Sequence, residues 1–148
     1  MRRAAGFTLI ELLIVVALVA ILGAVTVPQV AEGLERYAVI SAGQQVASTI
    51  RAARFQAVGK NTQLRVRFNY PAAGQYQVVL HSNGTTAMGE VQQLPGGVSF
   101  QAGFADVAFD TNGRRPTGAL ASTIVVTNGN AADDRTVTVS TSGRVQLQ

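Results

Sequence analysis

Glu11 carries the only charge between Phe7 and Val27, a run in which Thr8, Gly23 and Thr26 are the only other departures from apolar side chains. A carboxylate deep in hydrocarbon costs about 2.5–3.5 kcal/mol on insertion scales, so such a group ordinarily has a partner or a route to water. Two readings follow. Glu11 is an interfacial group that reaches the headgroups and gains from the helix dipole, or it is one half of an ion pair whose cation comes from elsewhere.

The other residues able to do chemistry are few. Asp133 and Asp134, with Asn128 and Asn130, supply oxygens of the kind a hard cation takes, but their spacing matches no EF-hand loop. Asn, Gly and Asp are also what a hairpin turn demands, and the turn is the preferred reading. His81, followed by Ser82-Asn83-Gly84, reads as a loop residue. The chain has no cysteine and one histidine. Disulfides, thiolate metal sites and cysteine nucleophiles are thereby excluded, and zinc and triad chemistries lack parts. No carboxylate pair or phosphate loop emerges, so neither catalysis nor a cofactor or metal is expected.

These residues need elements to position them, and the first is long. At about 1.5 Å per residue, a helix from Phe7 to Val27 spans roughly 30 Å, the thickness of a bilayer core. Arg2 and Arg3 flank it on the N-terminal side, which keeps that end in the cytoplasm and sends the rest outward. A cleavable secretory signal fits poorly, because the apolar run is too long and AVTVPQV is a poor small-x-small site. Helical spacing continues past Pro28 at Val30, Leu34 and Tyr37, then at Val46, Ile50, Ala53 and Ala57. This predicts one helix to about Val58, kinked at Pro28 and loosened at Gly33 and Gly43, with an amphipathic outer half that lies against a domain.

Beyond Gly59 the period becomes two. In QLRVRFN, Leu64, Val66 and Phe68 alternate with Arg65 and Arg67, and a turn at YPAAGQ leads into YQVVL, which together read as a hairpin. EVQQL, VSFQ, DVAFD, STIVVTN, TVTVS and RVQLQ follow as strands between Gly- and Asn-rich turns. The expected fold is α+β: a long N-terminal helix, transmembrane then amphipathic, packed on a C-terminal antiparallel β-sheet head.

The stretch GFTLIELLIVVALVAIL, after a short basic leader and before Pro28, resembles the N-terminus of type IV pilins and type II secretion pseudopilins. The fragments VAFDTNGRRPTG, IVVT and TVTVSTSGRVQLQ narrow the resemblance to the family of the minor pseudopilin GspH and the minor pilin FimT. The resemblance implies cleavage between Gly6 and Phe7 by a prepilin peptidase, which also methylates the new amine of Phe7. Gly6 suits such a cut, having no side chain to obstruct the approach to its backbone. It further implies that Glu11 of one subunit faces the Phe7 ammonium of the next during assembly.

On this basis residues 1–6 are a leader, 7–27 a transmembrane segment, 28–58 its amphipathic continuation and 59–148 a periplasmic head. The implied partners are the peptidase, other pilins or pseudopilins in a filament, and an inner-membrane assembly platform. The alternative function is DNA uptake, with Arg65, Arg67, Arg114, Arg115 and Arg144 as candidate phosphate contacts. Some FimT-like pilins bind DNA through a terminal Gly-Arg-x-Arg, whereas this chain has Gly143-Arg144-Val145-Gln146. The formal charge of +4 includes Arg2 and Arg3, and without them the chain is only weakly basic. The bland reading is that these arginines solubilise a strand face or pair with acids of neighbouring subunits.

Overall fold

The computed structural model describes residues 7–103, 105–116 and 122–148. Among the described residues, one long helix, α1 (Leu9–Gly59), is followed by eight strands. These are β1 (Leu64–Phe68), β2 (Gln75–Leu80), β3 (Gln92–Gln93), β4 (Ser99–Phe100), β5 (Val107–Phe109), β6 (Ser122–Thr127), β7 (Arg135–Val139) and β8 (Val145–Leu147). Two compact units divide the chain, Met1–Leu34 and Glu35–Gln148.

In the first unit the helix is apolar on every side. Leu9, Ile10, Leu12, Leu13, Ile14, Val15, Val16, Leu18, Val19, Ile21 and Leu22 are all at least half exposed. Consecutive positions turn by about 100°, so this exposure covers the whole circumference and suits hydrocarbon on all faces. α1 runs through Pro28 as helix. Thr26 donates its hydroxyl to the carbonyl of Leu22 at 2.9 Å, one turn back along the helix.

In the second unit α1 presents a narrow buried stripe: Val39, Ala42, Val46, Ala47, Ile50, Ala53 and Ala57. Most are small, which lets the sheets come close to the helix axis. Gly43 is part of this stripe and does not loosen the helix as its residue type suggests. A β-carbon there would meet Cβ of Arg135 at 3.0 Å and Cδ1 of Leu147 at 3.3 Å, so the glycine is a packing residue. Val30, Leu34 and Tyr37, which share the helical spacing, remain exposed, Tyr37 at 72%. The amphipathic face that packs on the core therefore begins at Ala38 and Val39.

All strand pairs are antiparallel. They form two four-stranded sheets, ordered β3-β2-β1-β5 and β4-β6-β7-β8. The β1–β2 hairpin has the register Leu64↔Leu80 to Phe68↔Tyr76. Its loop is closed where Oδ1 of Asn69 accepts from the amide of Gly74 at 3.0 Å. Both residues adopt positive φ, 51° and 73°, which Asn and Gly tolerate best.

Leu64, Val66 and Phe68 face the core with α1, and β6 and β7 contribute Ile124, Val126, Val137 and Val139. Three rings join the sheets: Phe68 and Tyr76 of the first meet Phe100 of the second edge-on, with centroids 5.2 and 5.7 Å apart. Such arrangements contribute about 0.5–1.5 kcal/mol beyond the area they bury.

Candidate functional site

The first candidate region is the start of α1. Thr8 is its N-cap, since the Thr8 carbonyl accepts the first helical bond, from the amide of Leu12 at 3.2 Å. The Thr8 hydroxyl accepts from the amide of Glu11 at 3.3 Å, and Oε2 of Glu11 accepts from the amide of Thr8 at 3.4 Å. This reciprocal pair is a capping box, Thr-x-x-Glu, which satisfies two amides that would otherwise lack helical partners. The sequence carried that signal in Thr8-Leu9-Ile10-Glu11, yet a carboxylate in an apolar run draws attention to charge and away from capping. Glu11 thus has a local role in starting the helix beside any role between chains. Phe7 is 86% exposed just before the cap, and Gly6 lies outside the described residues.

The arginines separate into two groups. Arg65 and Arg67 lie side by side on β1, half-buried, and both face Asp106, at 3.8 and 3.7 Å. Arg67 also donates to the carbonyl of Gly84 at 2.8 Å and lies over the Tyr70 ring, 3.9 Å from its centroid. Arg65 donates Nε to Nδ1 of His81 at 3.4 Å. The histidine thereby acts as an acceptor, and burial, with the Arg65 charge in second place, pulls its pKa below the ordinary 6.5. His81 sits in the turn after β2, half-buried, as a structural acceptor.

Arg114, Arg115 and Arg144 belong to the other group, at the end of the head where α1 finishes. Arg54 on the last turns of α1 donates Nε to the carbonyl of Gly113 at 2.8 Å. Gly113 in the β5–β6 loop is in turn packed against Gly143 in the β7–β8 turn. The amide of Arg115 donates to the carbonyl of Thr141 at 3.1 Å, and Arg51 reaches the carbonyl of Val145 at 3.4 Å. Arg115 is buried while Arg114 and Arg144 are exposed. Asp110 organises the loop: its Oδ1 accepts from the amides of Asn112 and Arg114 at 2.9 and 2.8 Å.

The Asn/Asp segment is a turn stitched to the helix. Oδ1 of Asn128 accepts from the amide of Asn130 at 3.0 Å, and Asn130 donates its side chain to Oδ2 of Asp133 at 3.0 Å. The other Asp133 oxygen takes Nε of Arg36 at 2.7 Å, with the carboxylate 8% exposed. A guanidinium on α1 is thus the cation these oxygens hold, in a charge-assisted bond of the strong kind. Among the described residues no three His, Cys, Asp or Glu side chains come together as a metal site.

Residues 42–143 match the family model described as type II transport protein GspH. The chain belongs to the GspH family. Residues 1–27 of this GspH-family chain also match the prokaryotic N-terminal methylation motif. No curated protein matches it. Among solved structures, the type IV minor pilin FimU of Pseudomonas aeruginosa is similar at 18% identity and a TM-score of 0.65, over 77% of this chain and 90% of that one. The minor pseudopilin EpsH from the type 2 secretion system of Vibrio cholerae is similar at 14% identity and a TM-score of 0.57, over 74% and 95%. These likenesses show that the GspH-family chain has the pilin-like α+β fold. The family match begins at Ala42 and ends at Gly143, so it takes in the buried stripe of α1 from Ala42 onward and the Arg54–Gly113–Gly143 junction.

Proposed function

We propose that this GspH-family chain is a minor pseudopilin or minor pilin, a structural subunit of a type II secretion pseudopilus or type IV pilus. α1 holds the precursor in the inner membrane, with its N-terminus cytoplasmic and the head periplasmic. Prepilin peptidase cuts between Gly6 and Phe7, methylates Phe7 and removes the six-residue leader. An assembly platform then passes the subunit into a filament of related chains.

The observation that carries this reading is the start of α1, where the large apolar side chains from Leu9 to Leu22 are exposed on all faces, opened by the Thr8–Glu11 capping box. Side chains such as Ile14 and Leu18 are more than half exposed, and equivalent helices of other subunits cover them by close packing. Cleavage places a new ammonium on Phe7, and Glu11 lies about 6 Å away along the axis at helical rise. Its carboxylate, at the polar edge of the span, is available to the Phe7 amine of an adjacent subunit. Pro28 removes one amide from the helical ladder and provides a place for α1 to bend during packing.

Co-expression with a prepilin peptidase tests the processing step. The intact mass is expected to fall by the Met1–Gly6 leader and to include one methyl group. A Gly6→Val chain is expected to keep its full mass. Persistence of the leader in the wild-type chain overturns the proposal.

A further inference from the structure

Between the β5–β6 loop and the β7–β8 turn lies an open cleft of about 810 Å³, lined by Asp110, Asn112, Arg114, Arg115, Thr141 and Ser142. Cations concentrate at this end of the head. Arg114 and Arg115 line the cleft, Arg144 follows Ser142 in the same turn, and Arg51 and Arg54 lie on the adjoining last turns of α1, bonded to backbone carbonyls. Carboxylates are placed elsewhere: Asp106 faces Arg65 and Arg67, and Asp133 is held by Arg36. Asp110 is the carboxylate that lines the cleft, and its Oδ1 is already shared by two amides.

We propose that this cleft docks a carboxylate-rich segment of a partner protein. The donors match that chemistry: a planar guanidinium forks onto a carboxylate, and the Asn112 amide with the Thr141 and Ser142 hydroxyls complete a polar rim. The framework is rigid, because Arg54–Gly113, Arg115–Thr141 and the Gly113–Gly143 packing lock both rims to each other and to the helix. Pre-organisation of this kind reduces the ordering cost of binding.

Nucleic acid fits the same place less well. Among the described residues no aromatic side chain lines the cleft for a base to stack on. Asp110 opposes a phosphodiester there, and Arg65 and Arg67, which would extend a phosphate track, turn to Asp106 on the other sheet. The inference goes beyond filament membership and does not depend on it.

The test uses the full chain in neutral detergent micelles, at low and at raised salt, with three fluorescent probes. These are a peptide alternating Glu and Gly, its Gln counterpart, and DNA in single- and double-stranded form. The Glu peptide is expected to bind in a salt-sensitive manner, and the Gln peptide to bind not at all. Arg114→Gln is expected to weaken the Glu peptide about tenfold, while Arg36→Gln, an exposed cation about 27 Å along α1 from Arg54 at helical rise, leaves it unchanged. Unaltered thermal melting of Arg114→Gln confirms that the head is intact. Absence of Glu-peptide binding at low salt, an equal loss in Arg36→Gln, or tighter binding of DNA that is lost in Arg114→Gln each overturns the proposal. Arg144→Gln provides a second variant, expected to weaken the peptide in the same direction.

Discussion

Gly143 packs so closely on the carbonyl of Gly113 that a β-carbon at position 143 would overlap the oxygen, while that same oxygen accepts from Arg54 at 2.8 Å. Gly143 also has φ of +81°, where L side chains are strained. Two loops distant in sequence and the end of α1 are thereby joined at one point, with no room for a methyl group. Gly143→Ala is expected to destabilise the head by about 2–4 kcal/mol, combining backbone strain with overpacking. Thermal unfolding followed by circular dichroism measures it, and a melting temperature equal to wild type contradicts this account of the junction.

Asp133 is a nearly buried carboxylate whose charge is answered by Arg36 across 97 positions of sequence. Arg36→Ala leaves that carboxylate with the side-chain amide of Asn130. Because Arg36 itself is 62% exposed, the expected loss is about 1–2 kcal/mol, below the cost of breaking a fully buried pair. Arg36→Lys is expected to recover part of it. Denaturant unfolding of the two variants against wild type is the measurement.

His81 accepts a hydrogen bond from Arg65 as the neutral ring, and its folded-state pKa lies below the ordinary 6.5. The unfolded chain therefore binds the proton more readily, so this group's contribution to stability is present above that value and declines as the pH falls through it. Melting curves between pH 7.5 and pH 5 are expected to show a smaller decline in His81→Gln than in wild type, the titrating ring being gone. Equal declines would place the pH dependence in other groups.

Thr8→Val removes the hydroxyl of the capping box, and the expected loss at the start of α1 is about 1 kcal/mol, visible as local fraying. Amide hydrogen exchange in micelles is expected to accelerate at positions 9–12 and to remain unchanged in the stripe from Val39 to Ala57. Unchanged exchange at Glu11 and Leu12 would contradict the capping role.

The helix, the positions of the strands along the chain and the β1–β2 hairpin were legible because each rests on a local period or turn chemistry, whereas the order of the strands within the two sheets was not. Leu64-Arg65-Val66-Arg67-Phe68 alternates in burial as it does in residue type. What escaped was long-range. Arg65 and Arg67 look like a free basic face until Asp106 is brought to them by the β1–β5 pairing, Val66 opposite Val107. Asp133 and Asn130 look alike as turn residues and as cation ligands, and only the placement of Arg36 separates the two. Val30, Leu34 and Tyr37 repeat at helical spacing as Val46 and Ile50 do, but periodicity says which residues share a face and not where the head begins to cover it. The thinness of the buried stripe, made by Ala42, Gly43, Ala47, Ala53 and Ala57, was the available signal for that boundary.

Filament membership is the central claim, and the most direct measurement is of the protein in sheared filaments. Recovered from that fraction, the wild-type chain is expected to begin at a methylated Phe7. Glu11→Ala is expected to be processed and retained in the membrane but to be depleted from the filaments. A wild-type chain found only in the membrane fraction, or filaments that contain Glu11→Ala at the wild-type level, would contradict the account.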